Sequence, residues 1–102
     1  MGWSVFLNNK ISRFGFVVKL SMQVIVQFYS YFRELTGCAE TKESLADSAT
    51  LGVLHDQLMA HFPKLVAMKK STLLAVGVEY QMRDYVLKDG DEVSLFPPVQ
   101  GG

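Results

Sequence analysis

The 102-residue chain predicts an α+β fold in which one amphipathic helix packs across a small mixed sheet. Two observations carry the prediction. Hydrophobic residues alternate with period two near both ends, in MQVIVQFYS and DEVSLF, while LGVLHDQLMAHF between them repeats at three and four. The first spacing lines one face of a strand and the second one face of a helix. A third observation bounds the answer: a chain of this length has interior for one domain only.

In residues 22–30, Val24, Val26 and Phe28 share one face and Gln23 and Gln27 the other, as in a half-buried strand. The period then switches. Phe28, Phe32 and Leu35 describe one short helical turn, and Gly37 closes it. AETKESL, residues 39–45, alternates weakly and reads as a more exposed hairpin partner of the first strand. Thr50 is the expected N-cap of the main helix, whose stripe is Leu51, Leu54, Leu58 and Phe62 with Met59 at its margin. Pro63 disfavours helical geometry at Phe62, so the helix should end near His61. Residues 72–78, TLLAVGV, read as a buried strand with Leu74, Val76 and Val78 aligned. Asp89-Gly90 marks a turn, and Val93 and Leu95 face inward on the last strand. A β-grasp arrangement, as in ubiquitin-like domains, with four to five strands, one main helix and a short helical turn, fits this order.

Charge is uneven along the chain. Residues 1–21 hold Lys10, Arg13 and Lys19 and no acid, so the remainder, with seven bases and ten acids, is mildly acidic. That argues against nucleic-acid binding, which needs a clustered basic face. The one adjacent basic pair, Lys69-Lys70, reads as solvated. A single cysteine, Cys38, excludes an intramolecular disulfide and suits a reducing cytosol. No apolar run is long enough for a membrane-spanning helix. A cytoplasmic protein is therefore expected. Residues 1–21 lack the block order of a signal peptide. They read as an extension from an upstream start, with the working protein beginning at Met22; the alternative is that Phe14–Leu20 lengthens the first strand. The expected organisation is an extension at 1–21, a β-grasp domain at 22–96 and an extended arm at 97–102.

The body offers little chemistry. His55 and His61 are six apart and point in different directions on a helix, so they cannot share a metal, and they read as surface or helix-margin residues. Cys38 reads as a half-buried small hydrophobe. Asp89, Asp91 and Glu92 are expected to shape a turn and blunt the edge of the final strand.

The last residues, FPPVQGG, are different. Pro97 and Pro98 each fix φ and lack an amide hydrogen, so they end the strand and project a stiff arm. Val99 and Gln100 add modest side chains. Gly101 and Gly102 have no Cβ, so they can thread a passage about as wide as a backbone. Six residues reach at most about 20 Å. Two glycines alone are a weak signal, since chance puts them there in roughly 0.5% of chains. Two prolines, an uncharged arm and two glycines after a β-grasp-like body are a much stronger one.

LKDGDEVSLFPPVQGG, together with MQVIVQFYSYFRELTG at the start of the body, resembles the small, MoaD-type subunit family of molybdopterin synthase, a ubiquitin-like sulfur carrier family. The resemblance runs from Met22 to Gly102 and includes Phe28, Arg33-Glu34-Leu35 and Gly37. It implies that an E1-like partner uses ATP to adenylate the Gly102 carboxylate, which a sulfur donor protein then converts to a thiocarboxylate. It implies further that the tail enters the large synthase subunit and gives its sulfur to a pyranopterin precursor, in a heterotetramer of two small and two large chains. Gly102 would carry the sulfur and Gly101 let it pass; Phe96, Pro97, Pro98 and Val99 would anchor or guide the arm. The chain would be a synthase subunit with no permanently bound cofactor or metal, and not catalytic alone. Phe96 has a second reading, as a core residue at the end of the last strand. The chain departs from the family at Gly77, where an Asn is common, and the change is expected to loosen a turn or contact away from the tail. Three alternatives stay open: a carrier for thiamine synthesis or tRNA thiolation, a protein modifier forming isopeptide bonds, and an interaction domain with an inert tail.

Overall fold

The computed structural model describes residues 21–98. The elements run β1 (Ser21–Phe28), α1 (Phe32–Thr36), β2 (Glu40–Ala46), α2 (Leu51–His61), a 3₁₀ segment (Pro63–Ser71), β3 (Leu73–Val76), β4 (Glu79–Tyr80) and β5 (Glu92–Phe96). Among the described residues five strands form one sheet in the order β2-β1-β5-β3-β4. β1 pairs antiparallel with β2 and parallel with β5, while β3 is antiparallel to both β5 and β4.

The alternation in β1 does what its periodicity requires. Met22, Val24, Val26 and Phe28 are buried while Gln23 is exposed. Register carries that face across the sheet: Val26 stands opposite Val93, Phe28 opposite Leu95, and Leu95 in turn opposite Leu74. Across this face lies α2, whose Leu51, Leu54 and Leu58 are fully buried. Burial of each such side chain contributes about 1.5–3 kcal/mol. Phe32 from α1 and Leu65 from the 3₁₀ segment complete the core.

Both helix boundaries follow from local chemistry. At the start of α2 the Val53 amide donates to Thr50 Oγ1 at 3.3 Å, and the Leu51 and Gly52 amides donate to the Tyr85 and Arg83 carbonyls, each at 2.8 Å. Three of the four amides that a helix leaves unpaired are thereby satisfied. Gly37 ends α1 at φ 80°, and its amide donates to the Arg33 carbonyl. Cys38 is half-buried beside Thr36, as its reading required.

Four expectations need correction or fall elsewhere. The strand expected over 72–78 stops at Val76, because Gly77 at φ 63° and Val78 form the two-residue turn that joins β3 to β4; Val78 is 98% exposed and does not align with Leu74. That turn also answers the Gly77 departure. The left-handed conformation is open to Gly and Asn alike, so both residues suit the turn. β5 is an interior strand, so Asp91 and Glu92 blunt no edge. The turn-shaping half of that reading holds, since the Gln23 amide donates to Asp89 Oδ1 and the Lys88 amide to Asp91 Oδ2. The proposed backward extension of the first strand over Phe14–Leu20 lies outside the described residues.

His55 is the fourth. It is 2% exposed, not a surface or margin residue, because the apolar face of α2 is broad enough to take in Leu51, Leu54, His55, Leu58 and Met59. His61 is exposed, and its Nδ1 lies 3.0 Å from Oε1 of Glu43, a buried carboxylate on β2 that also accepts from Gln57 Nε2 at 2.7 Å. Among the described residues no group of acidic, histidine or cysteine side chains could hold a metal, and no helix is long and apolar enough to cross a membrane.

The Gly77 turn gives a direct test. Gly77→Asn should leave the urea midpoint nearly unchanged, whereas Gly77→Val should lower stability by about 1–2 kcal/mol, because a β-branched side chain resists positive φ.

Candidate functional site

Phe96 is the last residue of β5, and Pro97 and Pro98 follow without regular structure. Phe96 pairs with Leu73 on β3, and β-sheet alternation sets it on the face opposite Val93 and Leu95. This excludes the core reading of Phe96. Its ring stacks on Tyr29 with centroids 4.8 Å apart and an interplanar angle of 10°, and meets the Tyr80 ring edge-on at 6.2 Å. Offset or edge-on pairs of this kind contribute about 0.5–1.5 kcal/mol beyond area burial.

The cluster is built by register. Tyr29 lies just past the end of β1, and its amide donates to the Leu95 carbonyl at 3.2 Å. Tyr80 stands opposite Ala75, which stands opposite Ser94, so all three share the outer face with Phe96. Ala75 and Ser94 are buried although they face away from the core. Small side chains between large rings leave room for the aromatic layer above them. Tyr29 and Tyr80 are 39% and 64% exposed, so the cluster is an apolar surface and not a second core.

Beside it, Leu73, Leu74, Tyr80, Gln81, Met82, Thr72 and Arg83 line an open cavity of about 330 Å³. Met82 is 76% exposed. An exposed apolar surface of this kind, rimmed by polar groups, is what protein contacts use. The segment after β4 is fastened to the helix: Arg83 Nη1 lies 2.9 Å from His55 Nδ1, and Arg83 Nη2 donates to Asp56 Oδ1 at 3.0 Å and to the Gly52 carbonyl at 3.3 Å. Burial, and after it the Arg83 charge, push the His55 pKa below the ordinary histidine value. The hydrogen bond from Arg83 holds the Asp56 carboxyl below its usual range.

Of the expected site residues, the fold brings Phe96, Pro97 and Pro98 to one end of the outer face, with Pro97 half-buried and Pro98 exposed. Val99, Gly101 and Gly102 lie outside the described residues. Tyr29, Tyr80 and Met82 had not been singled out. Tyr29 sits in a segment already assigned to a strand, and Tyr80 becomes a neighbour of Phe96 only through the β3–β4 hairpin. An exposed aromatic two residues after a Gly-centred turn was the available signal.

A β-grasp sheet with an aromatic surface just before a proline-led segment defines a ubiquitin-like domain. Comparison with known proteins narrows the class: the ThiS family profile matches residues 26–102, and the chain belongs to that family. It is 36% identical over 83 residues to the molybdopterin synthase sulfur carrier subunit of Chlamydomonas reinhardtii, covering 79% of this chain and 100% of the relative. It is 39% identical over 79 residues to the protein of that name from Escherichia coli (strain K12), covering 76% of this chain and 96% of the relative. SAMP1 from Haloferax volcanii shares the fold at a TM-score of 0.72 and 23% identity, over 78% of this chain and 99% of that one.

The aromatic contacts can be measured directly. A double-mutant cycle of Tyr29→Ala and Phe96→Ala in urea unfolding should return a coupling of about 0.5–1.5 kcal/mol; strict additivity would mean the two rings do not stack in solution.

Proposed function

We propose that this chain is a sulfur carrier of molybdopterin synthase, acting through the Gly102 carboxylate. The observation that carries the reading is the combination of a belonging family whose relatives bear that name with an arm, PPVQGG, rooted in the exposed Phe96 cluster.

The chemistry follows from the group available. A free carboxylate, with pKa near 3.5, is ionised at neutral pH and is a poor electrophile, so it must be activated first. An E1-like adenylating enzyme supplies ATP: a carboxylate oxygen attacks the α-phosphorus, pyrophosphate leaves, and Gly102 becomes an acyl-adenylate. A sulfur donor protein then releases sulfur at the sulfide level; hydrosulfide attacks that carbonyl carbon, the carbon–oxygen bond to the phosphate breaks, and AMP leaves with the electron pair. The resulting thiocarboxylate donates its sulfur to a pyranopterin precursor held by the large synthase subunit. The large subunit provides the acid–base and positioning groups, and the Phe96, Tyr29 and Tyr80 rings provide a surface for it to hold. The two chains form a heterotetramer with two copies of each.

In this scheme the folded body recognises and the arm reacts. Phe96, Pro97, Pro98 and Val99 anchor and guide the tail, and Gly101 allows passage through a channel too narrow for a Cβ. Binding energy concentrates on buried aromatic anchors in contacts of this size, which suits Phe96 with Tyr29 and Tyr80. No permanently bound cofactor is required.

Deleting Gly102 should abolish sulfur transfer while leaving the thermal midpoint unchanged. Incubation of the intact chain with its adenylating enzyme, ATP and a sulfur donor should raise its mass by the difference between sulfur and oxygen. Undiminished transfer by the truncated chain would overturn the reading. Adducts on partner lysines that survive denaturation and thiol would instead indicate a protein modifier.

A further inference from the structure

The first turn of α2 is shaped around Arg83. A Cβ at Gly52 would lie 3.2 Å from the Arg83 Cβ, Nε and Cζ atoms, so any larger residue there would press the Arg83 side chain out of its place by a few tenths of an ångström. In that place Arg83 meets His55, Asp56 and the Gly52 carbonyl, and its own backbone carbonyl accepts from the Gly52 amide.

A guanidinium has donors and no acceptor, and it stays charged at every physiological pH. With Arg83 Nη1 at 2.9 Å, His55 Nδ1 must therefore be the acceptor, which places the ring proton on Nε2. Nε2 is buried and has no hydrogen-bond partner among the described residues. A second proton could enter only at Nδ1, between the ring and the guanidinium, which would set two donors and two positive charges against each other. His55 has nowhere to go, being 2% exposed within the core, whereas the Arg83 side chain is 44% exposed and opens onto water.

We propose that His55 and Arg83 form a proton-operated latch: neutral His55 lets Arg83 clamp the Gln81–Tyr85 segment to α2, and protonation of His55 expels Arg83 and loosens that segment.

The charged groups acting on His55 come from three elements. Arg83 on the latch segment and Lys69 on the 3₁₀ segment oppose the imidazolium; Asp56, on α2 itself, favours it, but is 58% exposed and already engaged by Arg83. Burial adds to the opposition, so the net displacement of the His55 pKa is downward. The sign of the pH effect follows. A histidine held neutral in the fold contributes stability that is fully present above about pH 6.5 and is lost as pH falls from there through the folded-state pKa. Asp56, held below its usual range, remains ionised throughout that window.

What the latch controls is the outer face. The segment it holds supplies Gln81 and Met82 to the cavity wall and follows directly on Tyr80, whose ring meets Phe96. Opening would thus alter the apolar surface at the root of the arm while leaving β1 and β5 paired.

The test uses the full chain and no partner. Imidazole nitrogen NMR from about pH 8 to about pH 5 should show the Nε2–H tautomer of His55 at neutral pH and a midpoint below the ordinary 6.5 or so. Over the same range the hydrogen-exchange protection factor of the Gly52 amide should fall about tenfold or more with that midpoint, while Val93 keeps its protection. In Arg83→Met, Gly52 protection should be low at both ends of the range and the His55 midpoint should rise. An Nδ1–H tautomer at neutral pH, Gly52 protection that stays constant while His55 titrates, or an undiminished pH-dependent fall in Arg83→Met would each overturn the latch.

Discussion

Everything in this molecule depends on β5 entering between β1 and β3. Without it, β1 and β2 are one antiparallel pair and β3 and β4 another, and a lone two-stranded pair is at best marginally stable. Pairing Val26 with Val93 and Phe28 with Leu95 joins them, aligns Leu74 with the same layer, and creates the surface on which α2 lays Leu51, Leu54 and Leu58. The contact spans nearly the whole described chain, so its loop-closure entropy must be offset by burial that only the finished sheet provides. The strand that completes the fold is also the strand from which the arm departs. The placement of Phe96, Pro97 and Pro98 and the integrity of the core are therefore one constraint.

Local periodicity made most of the elements legible. The alternation of β1, the Gly37 cap of α1, the Thr50 cap of α2, the helix end near His61 and the inward-facing Val93 and Leu95 are set by neighbours in sequence and were legible there, although β1 ends at Phe28 and not at residue 30, and Phe28 belongs to it and not to the α1 turn. What escaped was set by residues far apart. His55 lies on the broad apolar face of α2, but the arginine that its ring meets comes from a different segment, and no helical pattern on α2 reveals that contact. The interior position of β5 is a matter of strand order, and alternation along one strand is the same at an edge or in the middle. Val78 was misplaced because an apolar run was read through Gly77 as strand, although glycine at that point is equally a turn signal.

The candidate site divides in the same way. Phe96 and the two prolines could be picked out because composition changes abruptly there. The aromatic partners could not be, since Tyr29 and Tyr80 reach Phe96 from opposite sides through two different strand pairings. The small residues Ala75 and Ser94 likewise gain meaning only once the register places them together on the outer face.

The two borders of the sheet differ in kind from its centre. β2 turns Glu40, Lys42 and Ser44 outward, and β4 is two residues long. Charged or very short outermost strands discourage further strands from adding to a sheet, including those of sibling molecules at high concentration. For a sulfur carrier of the kind proposed, contacts made through side chains and not by strand addition would be easier to reverse, and would free the same molecule to meet a second partner.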